Sequence, residues 1–219
     1  MRIYPALLVC LAVVLLSSNA SSAERPLAKP TLKGEVSVEE ALAKRRSVRK
    51  FSGKSLKVTE IAQLLWAAQG ITGEKGKRTS PSAGALYPLS IYLVAGDVEG
   101  LSPGIYRYRP RGHAVVKVKG GDLRAKLKEA AGGQRWVGDA PATFVIAVNY
   151  DRMDHYHERG KIYANMEQGH AAQNMLLQAT ALGLGAVPVG AVSTGRMTKL
   201  LDLSSEFTAE YLIPIGHPK

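Results

Sequence analysis

Two uninterrupted apolar runs, Thr143–Asn149 and Ala186–Val192, bracket the longest helical pattern in the chain, Tyr163–Leu182. No other feature restricts the fold as much. A strand that is apolar at consecutive positions is covered on both faces, so the sheet holding these strands lies between layers of other elements. The helix between them reads as apolar around much of its circumference and stops at Gly183-Leu184-Gly185.

Around this centre, helices and strands interleave. Ser37-Val38-Glu39-Glu40 is a capping box and predicts a helix to about Arg46. A second helix opens at Thr59-Glu60, gathers Ile61, Leu64, Leu65 and Ala68 on one face and ends at Gly70. After a Gly-, Ser- and Pro-rich loop, Ile71–Pro88, come three strands: Ser90–Ala95, Gly104–Tyr108 and Ala114–Val118. Tyr106, Arg107, Tyr108 and Arg109 alternate as a strand with one exposed face does. Short helices are expected over Asp122–Ala131 and Arg196–Leu201, and a last strand over Tyr211–Ile215. Hairpin-like strands in the middle favour an α+β fold with a mixed sheet over a doubly wound one.

The 219 residues carry 29 Lys and Arg against 18 Asp and Glu, a formal charge of +11, and a single cysteine, Cys10. Arg2, the apolar run Ala6–Leu16 and the small residues Ser21-Ser22-Ala23 read as a secretory signal peptide cleaved after Ala23. The run is too short to span a bilayer, and the expected location is secreted or periplasmic. The organisation is thus a signal peptide (1–23), an extended, solvated or partner-draping arm (24–36) and one domain (37–219). With Cys10 in the leader, the domain has no disulfide, Cys-based zinc site, iron–sulfur ligation or thiolate nucleophile. Redox chemistry would need an organic carrier or a metal on His and carboxylates. Nucleic acid is not an expected partner of an exported chain.

No GxGxxG or GxSxG is present, and the loop Gly70–Arg78 departs from P-loop spacing, Lys77 being followed by Arg78. The distinctive segment is Lys44–Phe51, where Arg45, Arg46, Ser47 and Arg49 can converge on a phosphate dianion or form a solvated basic face. Ser80–Pro88 and Gly183–Gly190 combine small residues with Pro, which lets backbone approach a flat ligand.

Taken in order, RRSVRKF, PSAGALYPL, EQGHAAQNMLLQATALGLGAVPVGAV and LIPIGHPK resemble the nitroreductase family of FMN-dependent oxidoreductases over nearly all of Ser37–Lys219. The resemblance implies a mixed, mostly antiparallel sheet flanked by helices, and an intertwined homodimer with FMN at the subunit interface. It also implies ping-pong hydride transfer through flavin N5, from NAD(P)H or another donor. Carried over by residue, Arg45, Arg46, Ser47 and Arg49 match the positions that hold the FMN phosphate, ribityl chain and ring edge, and Lys219 matches a basic residue that also reaches the phosphate. Pro81 and Ser82 match a loop lining the ring from the other subunit, and Pro188, Val189 and Gly190 a strand end facing the isoalloxazine.

Ala85 and Tyr87 stand where ordinary members carry Asn and Gln, so the chain is more similar to the SagB-type branch, which oxidises thiazolines and oxazolines on peptides. The Lys-Tyr acid/base pair of that branch is matched by His155-Tyr156, and the substrate, small molecule or peptide, stays open. His155 and His157 have no third ligand placed by spacing, so no metal is expected. The alternative function is a non-catalytic basic module that binds envelope polyanions through Arg107, Arg109, Arg111, Lys117 and Lys119.

Overall fold

A computed structural model describes residues 24–219; the expected signal peptide, 1–23, lies outside them. In chain order the elements are β1 (Glu24–Pro26), α1 (Val38–Lys44), β2 (Leu56–Lys57), α2 (Val58–Gln69), β3 (Leu89–Ala95), β4 (Val98–Glu99), β5 (Gly104–Arg109) and β6 (Ala114–Gly120). Then follow α3 (Arg124–Ala130), α4 (Arg135–Asp139), β7 (Ala142–Asn149), α5 (Glu158–Ala181), β8 (Gly185–Ala186), α6 (Thr194–Leu201) and β9 (Phe207–Gly216). Short 3₁₀ segments occupy Ala83–Ala85 and Tyr150–Tyr156.

Seven strands form one sheet in the order β1-β6-β5-β3-β7-β9-β8, with each neighbouring pair antiparallel. Among the described residues, parallel pairing is confined to β2 with β4 and to a Ser47–Ala186 bridge. The central strand β7 sets the layers. Its residues Ala142, Phe144, Ile146 and Val148 enter a core shared with α2 and α5, while Val145 and Ala147 enter a second core with α3, α4 and α6. The continuous apolar run is therefore what the sequence analysis predicted, a strand covered on both sides. Neighbouring β3 divides in the same way, Leu89, Ile91 and Leu93 one way and Tyr92 and Val94 the other.

Helix α2 buries Ile61, Leu64, Leu65 and Ala68 as its period demands. At the start of α1, Ser37 Oγ accepts from Glu40 N at 3.1 Å, which satisfies one of the free N–H groups of the first turn. Tyr106 and Tyr108 point inward while Arg109 is exposed, matching the alternation read from β5.

Four elements differ from the sequence reading. Helix α5 starts at Glu158, five residues before the expected Tyr163, and is not apolar all round. It buries Ala164, Ala171, Ala172, Met175 and Ala179 but leaves Ile162 and Met166 more than half exposed. The expected strand Ala186–Val192 keeps a regular ladder only at Gly185–Ala186. Val187 N donates to Pro214 O at 3.3 Å, but Pro214 has no N–H to return that bond, although Val189 still exchanges hydrogen bonds with Leu212 at 2.8 and 2.9 Å. Helix α4, five residues long, has too little period to be visible in sequence. Finally, the arm is tethered although mostly exposed: β1 pairs along β6, and Gln63 Oε1 accepts from Thr31 N at 2.8 Å.

Phe144 is among the largest fully buried side chains and sits in the strand common to both cores. Phe144→Ala should cost about 3–5 kcal/mol, read as a lower urea midpoint at constant m.

Candidate functional site

The basic segment is fastened to two distant parts of the chain. Val48 N donates to Ala186 O at 3.0 Å, Ser52 N to His217 O at 2.9 Å and Lys219 N to Lys50 O at 3.2 Å. Gly185 permits the first contact, since a Cβ there would lie 2.6 Å from Val48 Cγ1. This stitching draws Arg45, Arg46, Ser47, Arg49 and Lys219 into one neighbourhood. Arg45 is half-buried, and the other four are exposed. Arg46 Nη1 donates to Ala43 O at 3.0 Å and Arg45 O at 2.7 Å, closing the end of α1. The Arg49 guanidinium lies 5.5 Å from the Trp136 ring centroid. Among the described residues, none of Arg45, Arg46, Arg49 and Lys219 is in an ion pair, so their positive field is uncompensated locally.

From β8 the chain runs through half-buried Pro188 and buried Val189 to exposed Gly190. Gly190 opens onto a cavity of about 510 Å³, whose other walls include Asn165, Gln168 and Gly169 of α5 and Glu210 and Tyr211 of β9. A polar group that sequence reasoning missed borders it. Tyr150 Oη lies 2.8 Å from both Asn165 Oδ1 and Glu210 Oε2, and Gln168 Nε2 donates to Asn165 Oδ1 at 3.1 Å. Gln168 Oε1 is buried with no partner, an acceptor available to a ligand N–H or O–H. Burial, and then the Glu210 carboxylate, raise the Tyr150 pKa above the ordinary tyrosine value, so the phenol stays a donor. Glu210 reaches this position through a β-bulge: Ile146 pairs with Tyr211 and Ala147 with Ala209, leaving Glu210 as the extra residue.

The Pro81–Ser82 loop is built against α5. Ser82 Oγ accepts from Tyr87 N at 2.8 Å, and the buried Glu167 accepts from Ala83 N at 2.9 Å. Asn174 Nδ2 donates to Ser80 Oγ at 3.0 Å, which itself donates to Ala68 O at 2.7 Å. At Gly84, with φ 59°, a Cβ would come within 2.8 Å of Tyr156 Oη. Tyr156 is half-buried, edge-on to exposed His155 at 5.3 Å and to Tyr163 at 5.1 Å.

The expected residues thus fall into two groups. Arg45, Arg46, Ser47, Arg49, Pro188, Val189, Gly190 and Lys219 lie along β8 and the ends of β9. Pro81 and Ser82 belong to the loop that Tyr156 and Glu167 hold. No hydrogen bond or strand bridge among the described residues joins the two groups. Glu167 had a readable signal, an acid at a buried position of a helix. Among the described residues, no three His, Cys, Asp or Glu side chains gather as a metal site, and no helix is long and apolar enough to cross a membrane.

Residues 42–217 match the family model described as the nitroreductase family. The chain belongs to the nitroreductase family. A nitroreductase of Methanocaldococcus jannaschii is 41% identical over 186 residues, covering 83% of this chain and 91% of that protein. A nitroreductase structure from Ralstonia eutropha superposes with a TM-score of 0.80 at 27% identity, over 91% of each chain. The FMN reductase [NAD(P)H] of Bacillus subtilis is 28% identical over 122 residues, 48% of each chain. Within the family the chain falls on the SagB-type branch, and it is an FMN-dependent oxidoreductase.

The residues present fit FMN. Four unpaired cations stitched together answer a phosphate dianion, and the exposed Gly190 backbone beside a cavity of about 510 Å³ can face a flat ring.

Burial holds the Glu167 carboxyl above its ordinary 4.5. A carboxyl raised on folding binds its proton better when folded, so its ionised form costs stability as pH rises above that window. Glu167→Gln, which keeps an acceptor for Ala83 N, should therefore match or exceed the parent in urea midpoint at pH 7, with the gap closing as pH falls toward 4.5. Glu167→Ala, which removes the acceptor, should cost about 1–3 kcal/mol at pH 7.

Proposed function

We propose that this nitroreductase is an exported, homodimeric enzyme that takes a hydride from a donor and passes it to a separate acceptor in alternating, ping-pong half-reactions. FMN, when bound, supplies hydride storage at N5. The observation that carries this reading is the cluster Arg45, Arg46, Arg49 and Lys219, without ion-pair partners among the described residues and stitched to β8, from which the chain runs on to Gly190 and its cavity. In it the guanidiniums and the Lys219 ammonium hold the phosphate, Ser47 adds a hydroxyl donor, and the Pro188-Val189-Gly190 backbone faces the ring.

Dimerisation completes the site in this reading. The Pro81–Ser82 loop is anchored within its own protomer to Glu167 and packed by Tyr156, away from the Arg45–Arg49 segment. A second copy would bring that loop over the ring, and the exposed Ile162 and Met166 of α5 give such a contact apolar area. Tyr156 and His155 would then approach the substrate from the loop side as proton-transfer groups, while Tyr150, held neutral and donating within its own network, would fix Asn165 and Glu210 on the cavity wall. Azoline-type peptides, nitro compounds and quinones are the candidate substrates. Export rests on the apolar leader pattern of 1–23.

Refolded with excess FMN, the protein should bind the cofactor stoichiometrically and sediment as a dimer. Arg45→Ala with Arg49→Ala should weaken binding about a hundredfold, corresponding to two lost charge-assisted hydrogen bonds. Stopped-flow reduction of the holoenzyme by a panel of donors then identifies the physiological class. Absence of FMN binding, or a double variant indistinguishable from the parent, would refute the assignment.

A further inference from the structure

A second cavity, of about 320 Å³, sits at the base of the Pro81–Ser82 loop. Its lining includes Arg78, Arg107, Arg109 and Arg152 together with Tyr87 and Tyr108, and no Asp or Glu. We propose that this cavity binds a small molecule bearing two or more negative charges on phosphate or carboxylate oxygens. The cluster arises from three separated places in the chain: the loop after α2, two positions of β5, and the 3₁₀ segment before α5.

Geometry and electrostatics agree on an anion. None of the four arginines is in an ion pair among the described residues. Arg78 is the anchor: its Nη1 donates to Gln69 Oε1 at 2.7 Å, its guanidinium stacks 4.2 Å from the Tyr87 ring centroid, and its buried Nε has no acceptor. Burial lowers the Arg78 pKa and nearby Arg152 adds to that, while Tyr87, Tyr108 and Glu167 oppose the shift. The Glu167 carboxylate that Arg78 also senses accepts from Ala83 N and does not line the cavity.

The remaining donors are pre-positioned by neutral groups. Arg152 Nη1 donates to Tyr87 O at 3.1 Å, and Arg107 lies opposite Tyr92 in the β3–β5 ladder. Tyr87 itself adopts φ 48°, an uncommon backbone state for a bulky residue, and Ser82 Oγ and Arg152 hold it there. The strain sets the Tyr87 ring under Arg78. Guanidinium forks match phosphate and carboxylate oxygens in pairs. Cations crowded around so small a volume repel one another until an anion enters. Tyr87, Tyr108 and Phe207 leave an apolar wall for a short carbon frame.

The test uses FMN-saturated full-length protein, so that the Arg45–Lys219 cluster is occupied and cannot contribute. Pyrophosphate represents phosphate ligands and citrate carboxylate ligands, each titrated calorimetrically at ionic strength held constant with sodium chloride. Saturable binding of at least one, with Kd below about 1 mM, is expected, and the tighter of the two names the source. Arg152→Ala and Arg109→Ala, both at exposed side chains, should each weaken it about tenfold with flavin content unchanged, and Arg78→Met should abolish it. If Arg78→Met fails to fold, the two exposed variants decide. No saturable binding of either anion, or affinities indifferent to these substitutions, would overturn the proposal. Binding lost only in Arg49→Ala would do the same by moving the anion to the flavin-phosphate cluster.

Discussion

Burial of β7 on both faces is the constraint on which the molecule rests. A strand with Phe144 and Ile146 on one side and Val145 and Ala147 on the other cannot exist at the surface. It forces α2 and α5 onto one face of the sheet and α3, α4 and α6 onto the other. The functional groups then occupy what the layers leave uncovered: the end of β8, the bulge of β9 and the loop before β3. Their positions are consequences of the core and need no separate organising principle.

That core was legible because burial writes itself into sequence locally. Consecutive apolar residues marked β7, and the spacing of Ile61, Leu64, Leu65 and Ala68 marked the inner face of α2. The basic run Arg45–Arg49 could be read for the same reason, its members being neighbours in the chain. Features that depend on pairing could not. Glu210 becomes a cavity residue only because β9 bulges against β7, and no residue type in the sequence announces a bulge there. The ladder of β8 is cut short at Pro214, whose missing donor matters only once Val187 is known to lie opposite it. Tyr150, Asn165 and Gln168 meet across a strand end and a helix, and the arginines of the second cavity come from three segments. Convergence of this kind is a property of the folded topology.

The two faces of the Pro81–Ser82 loop have contrasting chemistry. Toward α5 it meets a buried carboxylate, Glu167, and amide and hydroxyl groups that hold its backbone. Toward β5 it meets guanidiniums and a strained tyrosine. A loop fixed by hydrogen bonds at one end and by uncompensated charge at the other responds to ions and pH at different points.

The stitching of Val48, Ser52 and Lys50 to Ala186, His217 and Lys219 brings together segments from opposite ends of the domain's sequence. Contacts of such long range form late, because the intervening chain must be ordered before they are favourable. Bringing the basic segment against the C-terminal strand is therefore expected to follow assembly of the strands between them. A chain arrested with only its central strands in place would have the core without this juxtaposition.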